Sequence, residues 1–202
     1  MFLIDKMSEA EVSLRIAFFL IEQRSTASDV KVAIDGAQIK TGLTVHFPII
    51  DFLNSYGWTK ISNESGWQGV YANQQWHPHI QIHSLPGQGD IVATLQSGQT
   101  LRVESKKGSL LKSKSSQEYH LIHEALGQLL TIEKVNDKDI LAVAVPYSDK
   151  FEVLAKRWRE APLIQKIGMH ILTVDRKNKV NGLERNLLPN KVQPTKEIRN
   201  DR

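Results

Sequence analysis

Cysteine is absent from this 202-residue chain. That removes disulfides and every thiolate metal site, and it agrees with a reducing cytoplasm, the expected location. Long apolar runs are missing too: the first apolar stretch, Met7 to Arg24, is broken by charges. Neither a membrane span nor a signal peptide is therefore expected. No glycine-rich phosphate loop follows a strand-like segment, so nucleotide binding of the Rossmann kind has no support. Internal repeats are lacking as well. Charge is not strongly one-sided, with a net of +4 and a pI near 9.2, which permits nucleic-acid binding without requiring it. What is present is 41% hydrophobic residues, enough to fill the core of one sizeable domain.

The most informative stretch runs from Gly89 to Gly108. Two apolar runs, Ile91 to Leu95 and Leu101 to Val103, flank Gln96-Ser97-Gly98, with glycine where a left-handed residue is wanted. This pattern predicts a β-hairpin with a three-residue loop. In that register Leu95 faces Gln99 and Asp90 faces Glu104, at a Cβ separation of about 4.5–5.5 Å. Lys106 follows Glu104 by two residues and projects from the same face, while Leu101 and Val103 turn toward a core. Carboxylates held opposite each other repel unless a cation or a shared proton compensates them. Mg²⁺ suits that role, because it prefers carboxylate and carbonyl oxygens and keeps positions open for water and phosphate. The alternative is an exposed strand face carrying Glu104 and Lys106, with Asp90 as a turn residue.

Asp90, followed after residues 91–103 by Glu104-Ser105-Lys106, resembles the PD-(D/E)xK nuclease superfamily. The proline of that pattern is displaced, since Pro86-Gly87-Gln88-Gly89 precedes the acid. The resemblance extends over residues 88–175, through Gly108, a helix containing Glu124-Ala125-Leu126-Gly127-Gln128-Leu129-Leu130, and the apolar strand Ile140 to Val145. It implies an α/β restriction-endonuclease-like fold, a three-layer α/β/α core around a central mixed sheet. It further implies that Asp90, Glu104 and the backbone carbonyl of Ser105 bind Mg²⁺, with Mn²⁺ as a substitute. Lys106 would orient or help deprotonate the attacking water and stabilise charge on the phosphate. Gln128 would support the water from the helix, although it reads equally well as a boundary glutamine. Many relatives draw an acid from the first helix. Glu11 is the positional candidate, but its S-x-x-E spacing from Ser8 is also that of a capping box. The implied activity is a Mg²⁺-dependent DNA endonuclease of restriction, repair or mobile-element type. It would be homodimeric, because cutting two strands takes two sites. A non-catalytic DNA-binding or complex-assembly module on the same fold is the alternative, against which the intact Asp90, Glu104 and Lys106 argue.

The remaining pattern organises the chain as one domain over residues 1–189, with a helical N-terminal part (1–57), a core at about 76–182 and a polar tail from Asn190. Helices are expected at Met7–Arg24, from Pro48 to Tyr56-Gly57, around Leu121–Leu130 and over Lys150–Glu160. Strands are expected at Val30–Ile34, Trp76–His83, the hairpin, Ile140–Val145 and Met169–Val174, with Thr59–Gln75 irregular. His77, His79 and His83 fall on one face of the Trp76–His83 strand, but positions i, i+2 and i+6 span too far for one ion. Lys106, Lys107, Lys112 and Lys114 would track a phosphate backbone or simply be solvated. Lys156, Arg157 and Arg159 around Trp158 read equally as surface packing. Trp58, Trp67 and Trp76 would stack on bases or, in their commoner use, pack in a core or loop.

Overall fold

The computed structural model describes residues 5–111, 117–132 and 134–183. Its elements run β1 (Lys6–Met7), α1 (Glu9–Glu22), β2 (Val30–Ala33), α2 (Gly36–Ile39), β3 (Lys40–Thr41), β4 (Thr44–Val45), α3 (Ile49–Ser55), β5 (Trp58–Lys60), β6 (Gly69–Asn73) and β7 (Ile80–His83). They continue with β8 (Ile91–Thr94), β9 (Thr100–Ser105), β10 (Gly108–Ser109), α4 (Gln117–Leu129), β11 (Asp139–Pro146), α5 (Asp149–Arg159), α6 (Pro162–Ile167), β12 (His170–Val174) and β13 (Val180–Asn181). Lys112, Lys114 and the tail from Asn190 lie outside the described residues.

Nine strands form one mixed sheet in the order β13-β12-β11-β9-β8-β2-β7-β6-β5. The hairpin β8–β9 sits at its middle in the expected register, with Ile91 opposite Val103 and Thr94 opposite Thr100. Gly98 takes the left-handed conformation its turn requires, at φ +80°. β11 pairs parallel to both β9 and β12, and its near-continuous apolar sequence follows from burial on both faces.

The two faces of the sheet pack differently. Leu101, Val103, Ala142 and Ala144 share one cluster with Val12, Leu14 and Phe18 of α1. On the opposite face Val143 and Ile171 pack with Ala125 and Leu129 of α4, and Val145 with Phe151 of α5. Helices therefore cover both faces over β9, β11 and β12. Across β2 and β7 the second face carries Lys31 and Gln81, both exposed.

Several expectations are corrected. The segment 59–75 is not irregular: β5 and β6 form an antiparallel pair, and β6 continues the sheet beside β7. The strand expected at Val30–Ile34 is present as β2 and lies inside the sheet between β8 and β7. Ile80–His83 alone is strand, because Pro78 just before it has no N–H to offer a ladder. Trp58 is a core residue, 2% exposed and stacked on Phe18 at 5.7 Å, while Trp67 and Trp76 pack against the same core. No helix among the described residues is long and apolar enough to cross a membrane.

Candidate active site

The site forms where the first strand of the hairpin begins and the second ends. Gly89 turns the chain into β8 at φ +91°, with backbone so near Val103 that a Cβ there would stand 3.1 Å from the Val103 carbonyl. The Asp90 carbonyl accepts from the Ala33 amide, so β2 fixes the backbone at Asp90. On the other side Arg102 bonds Asp139 at 2.8 Å and reaches the Gln88 carbonyl at 3.3 Å, which ties down the approach to Asp90.

The Asp90 side chain does not extend into solvent. It accepts a 2.8 Å hydrogen bond from the Ser105 amide. In a strand a residue's N–H and C=O point the same way, so the Ser105 carbonyl is aimed at the same side, past the last paired residue of β8. Asp90 and this carbonyl therefore lie on the same side of the hairpin's end, with Ser105 itself fully buried.

Glu104 projects to the α4 face, and Lys106 beside it is buried, its side chain only 4% exposed. The Lys106 ammonium lies 3.4 Å from Glu104, 3.7 Å from Glu9 and 3.8 Å from Glu124. One cation therefore faces three acids, with Asp90 a fourth close enough to feel Glu104, Glu9 and Lys106. The consequence shows in protonation. Burial first, and then the Glu104 charge, push the Asp90 carboxyl from its ordinary 3.8 up to about 8, against the opposing Ser105 hydrogen bond. Glu104 is raised as well, by burial against the opposing pull of Lys106.

Two of these acids were not anticipated. Glu9 opens α1, held in place because Ser8 caps the helix on the Glu11 amide at 3.1 Å and because β1 pairs with β10 just beyond Lys106. Glu11 points elsewhere: it is 3% exposed and bonds Arg15 and Arg176, so it neither enters the site nor completes a reciprocal capping box. An Arg15 four residues on was the signal that Glu11 had another partner. Glu124 lies one helical turn before Gln128 on α4. Gln128 is exposed, and among the described residues no hydrogen bond joins it to the carboxylates.

The histidines do not assemble. His79 pairs with Asp29 at 3.7 Å, His77 lies edge-on to His79, and the His83 ring accepts from the Leu85 amide at 3.2 Å. Burial, and then the charge of Lys31, depress the His83 pKa. Arg159 is occupied by Glu152 and the Ile171 carbonyl, which leaves only Lys156 and Arg157 of that basic group exposed.

No family model, no curated protein and no solved structure matches this chain. The site is therefore judged on its own chemistry. Among the described residues no three His, Cys, Asp or Glu side chains stand as a ready-made metal cage. The donor set is instead Asp90, Glu104 and the Ser105 carbonyl, with more carboxyl groups than the single ammonium of Lys106 can neutralise once they ionise. Mg²⁺ typically binds through one or two carboxylates and retains several waters, so this set fits it.

Proposed function

We propose that this chain is a divalent-metal-dependent phosphodiesterase acting on DNA, built on a restriction-endonuclease-like fold. The observation that carries the reading is the convergence of Glu104, Glu9 and Glu124, the first two largely buried, on one buried ammonium, with Asp90 close by. Evolution of a merely structural ion pair has no reason to bury acids without counter-charge, because an uncompensated buried carboxylate costs several kcal/mol. A bound cation removes that cost.

Asp90, Glu104 and the Ser105 carbonyl are the residues that would hold Mg²⁺. When bound, the ion would supply Lewis acidity and neutralise charge building on the phosphate. The chain's own residues do the rest. Asp90 is oriented by the Ser105 amide, so its free oxygen is presented without rotamer search. Lys106 places an ammonium beside the same strand end, where it orients a water and stabilises negative charge on the phosphoryl oxygens. Glu9 and Glu124 hold that ammonium from the two helices and set its position. A dimer serves two-strand cutting in this reading.

The test is cleavage of supercoiled, linear and branched DNA by wild type and Glu104→Gln, with Mg²⁺, Mn²⁺ or EDTA. Metal-dependent cutting reduced roughly 10²-fold or more in the variant is the expected result, equal to several kcal/mol of lost transition-state stabilisation. Inactivity in every metal, with salt-sensitive DNA binding retained, would replace this reading by the non-catalytic DNA-binding module.

A further inference from the structure

A half-open cleft of about 780 Å³ lies against the carboxylate cluster, and Glu9 belongs to both. Met7 of β1 and Phe151 of α5, both fully buried, give the cleft an apolar side, and Gln38 and His46 are among its polar lining. Ala37 of α2 and Leu121 of α4 form walls. The mouth is cationic. Lys6 and Lys107 are exposed there, and neither makes an ion pair among the described residues. Alternation along the chain explains the second of these, since Lys106 turns inward to the acids and its neighbour turns outward. His120 also lines the cleft, one turn before Glu124, so a single face of α4 joins the mouth to the site.

We infer that this cleft takes one unstacked nucleotide of a single-stranded or frayed nucleic acid, with the base in the apolar slot and its phosphate at the mouth. The inference rests on the phosphodiesterase reading and adds its substrate class. A pocket of this volume suits a small amphipathic group, apolar at one end and anionic at the other. A nucleotide has that polarity. An acidic peptide lacks the flat apolar body that would fill the slot beside Met7 and Phe151. A stacked duplex offers no base to such a slot until one is flipped out, at a cost of unstacking. The cations at the mouth then track the continuing backbone, as single-strand sites do.

The experiment is fluorescence anisotropy with a labelled single-stranded DNA, the RNA of the same sequence, a blunt duplex and a duplex with an unpaired overhang. Ca²⁺ replaces Mg²⁺, since it also takes oxygen ligands. Wild type is compared with Ala37→Trp, which fills the cleft from an exposed position, and with Lys107→Ala; a thermal melt of each confirms folding. Single strand and overhang are expected to bind roughly tenfold tighter than blunt duplex, the worth of seating one base. Ala37→Trp should erase that preference, and Lys107→Ala should make the log–log salt slope shallower by about 0.7. DNA and RNA arms separate the two sources of the same nucleotide chemistry. Equal affinity for blunt duplex, or a preference untouched by Ala37→Trp, would overturn the inference. The phosphodiesterase reading fails separately, by absence of cutting of every substrate in Mg²⁺.

Discussion

At the scale of single residues, Asp90 and Lys106 have opposite relations to stability, although they serve one site. Asp90 is a buried acid whose charge is disfavoured by its surroundings. Asp90→Asn keeps an oxygen to accept from the Ser105 amide and removes the charge, so the metal-free protein should melt higher at about pH 8 and lose any stabilisation by Mg²⁺. Lys106→Met does the reverse, because Glu9, Glu104 and Glu124 are left without their ammonium. Breaking a buried pair by removing one partner costs about 3–5 kcal/mol. Part of that should be recovered in acid, where the carboxylates are protonated, or by adding Mg²⁺. Thermal melts of both variants with and without Mg²⁺ check the pair. A lower melting point for Asp90→Asn would mean that the carboxylate is structural, and the functional reading would lose its main support. Sites that bury charge for chemistry characteristically give up stability in this way.

At the scale of elements, α1 carries two neighbouring acids with different assignments, and the helix period decides them. Glu9 sits in the first turn over Lys106, whereas Glu11 faces the interior and binds Arg15 and Arg176. Arg15 also holds the Arg176 carbonyl at 2.7 Å and Asn178 at 2.8 Å, so this group clamps α1 to the turn between β12 and β13. Glu11→Ala should cost about 3–5 kcal/mol in urea denaturation, since Arg15 stays buried without its carboxylate. Glu9→Gln should be far milder, and its effect should appear instead in metal dependence. A mild Glu11→Ala with a large loss of Mg²⁺ response would return Glu11 to the site. The contrast also shows what was legible in the sequence. Turn chemistry and strict alternation around Gln96-Ser97-Gly98 determine a hairpin register locally, so the pairing of Ile91 with Val103, next to Asp90 and Glu104, could be read residue by residue. Glu9 could not, because it is positioned by a two-residue strand pair between Lys6-Met7 and Gly108-Ser109 that has no periodic signal. β6 was hidden for a related reason: Gly69 and Asn73 are buried there by the neighbouring strands, not by their own hydrophobicity.

At the scale of the whole molecule, the site should imprint itself on the pH dependence of folding. Asp90 holds its proton up to about 8 in the folded chain, against an ordinary value of 3.8 once unfolded. Between those values the folded state binds more protons than the unfolded one, so stability falls as pH rises through that window. Glu104 is displaced in the same direction and adds to the fall. Acids elsewhere act oppositely. Burial raises Glu152, but hydrogen bonds from Arg159 and Thr173 outweigh it and leave the group lowered. Asp139 is likewise lowered overall, with its bond from Arg102 overcoming burial. Their contribution is present at neutral pH and is lost as pH drops through their folded values. The metal-free protein should therefore be most stable in mildly acid solution, between these two opposing trends. Mg²⁺ binds only the ionised carboxylates and so competes with protons, and a ligand of the native state stabilises by RT ln(1 + [L]/Kd). Its effect should be small near pH 5 and grow toward pH 8, moving the optimum toward neutrality. Urea denaturation across that range, with Mg²⁺ and with EDTA, measures both curves. If they coincide at every pH, no cation relieves the buried acids, and the charge excess around Lys106 must be balanced by protons alone.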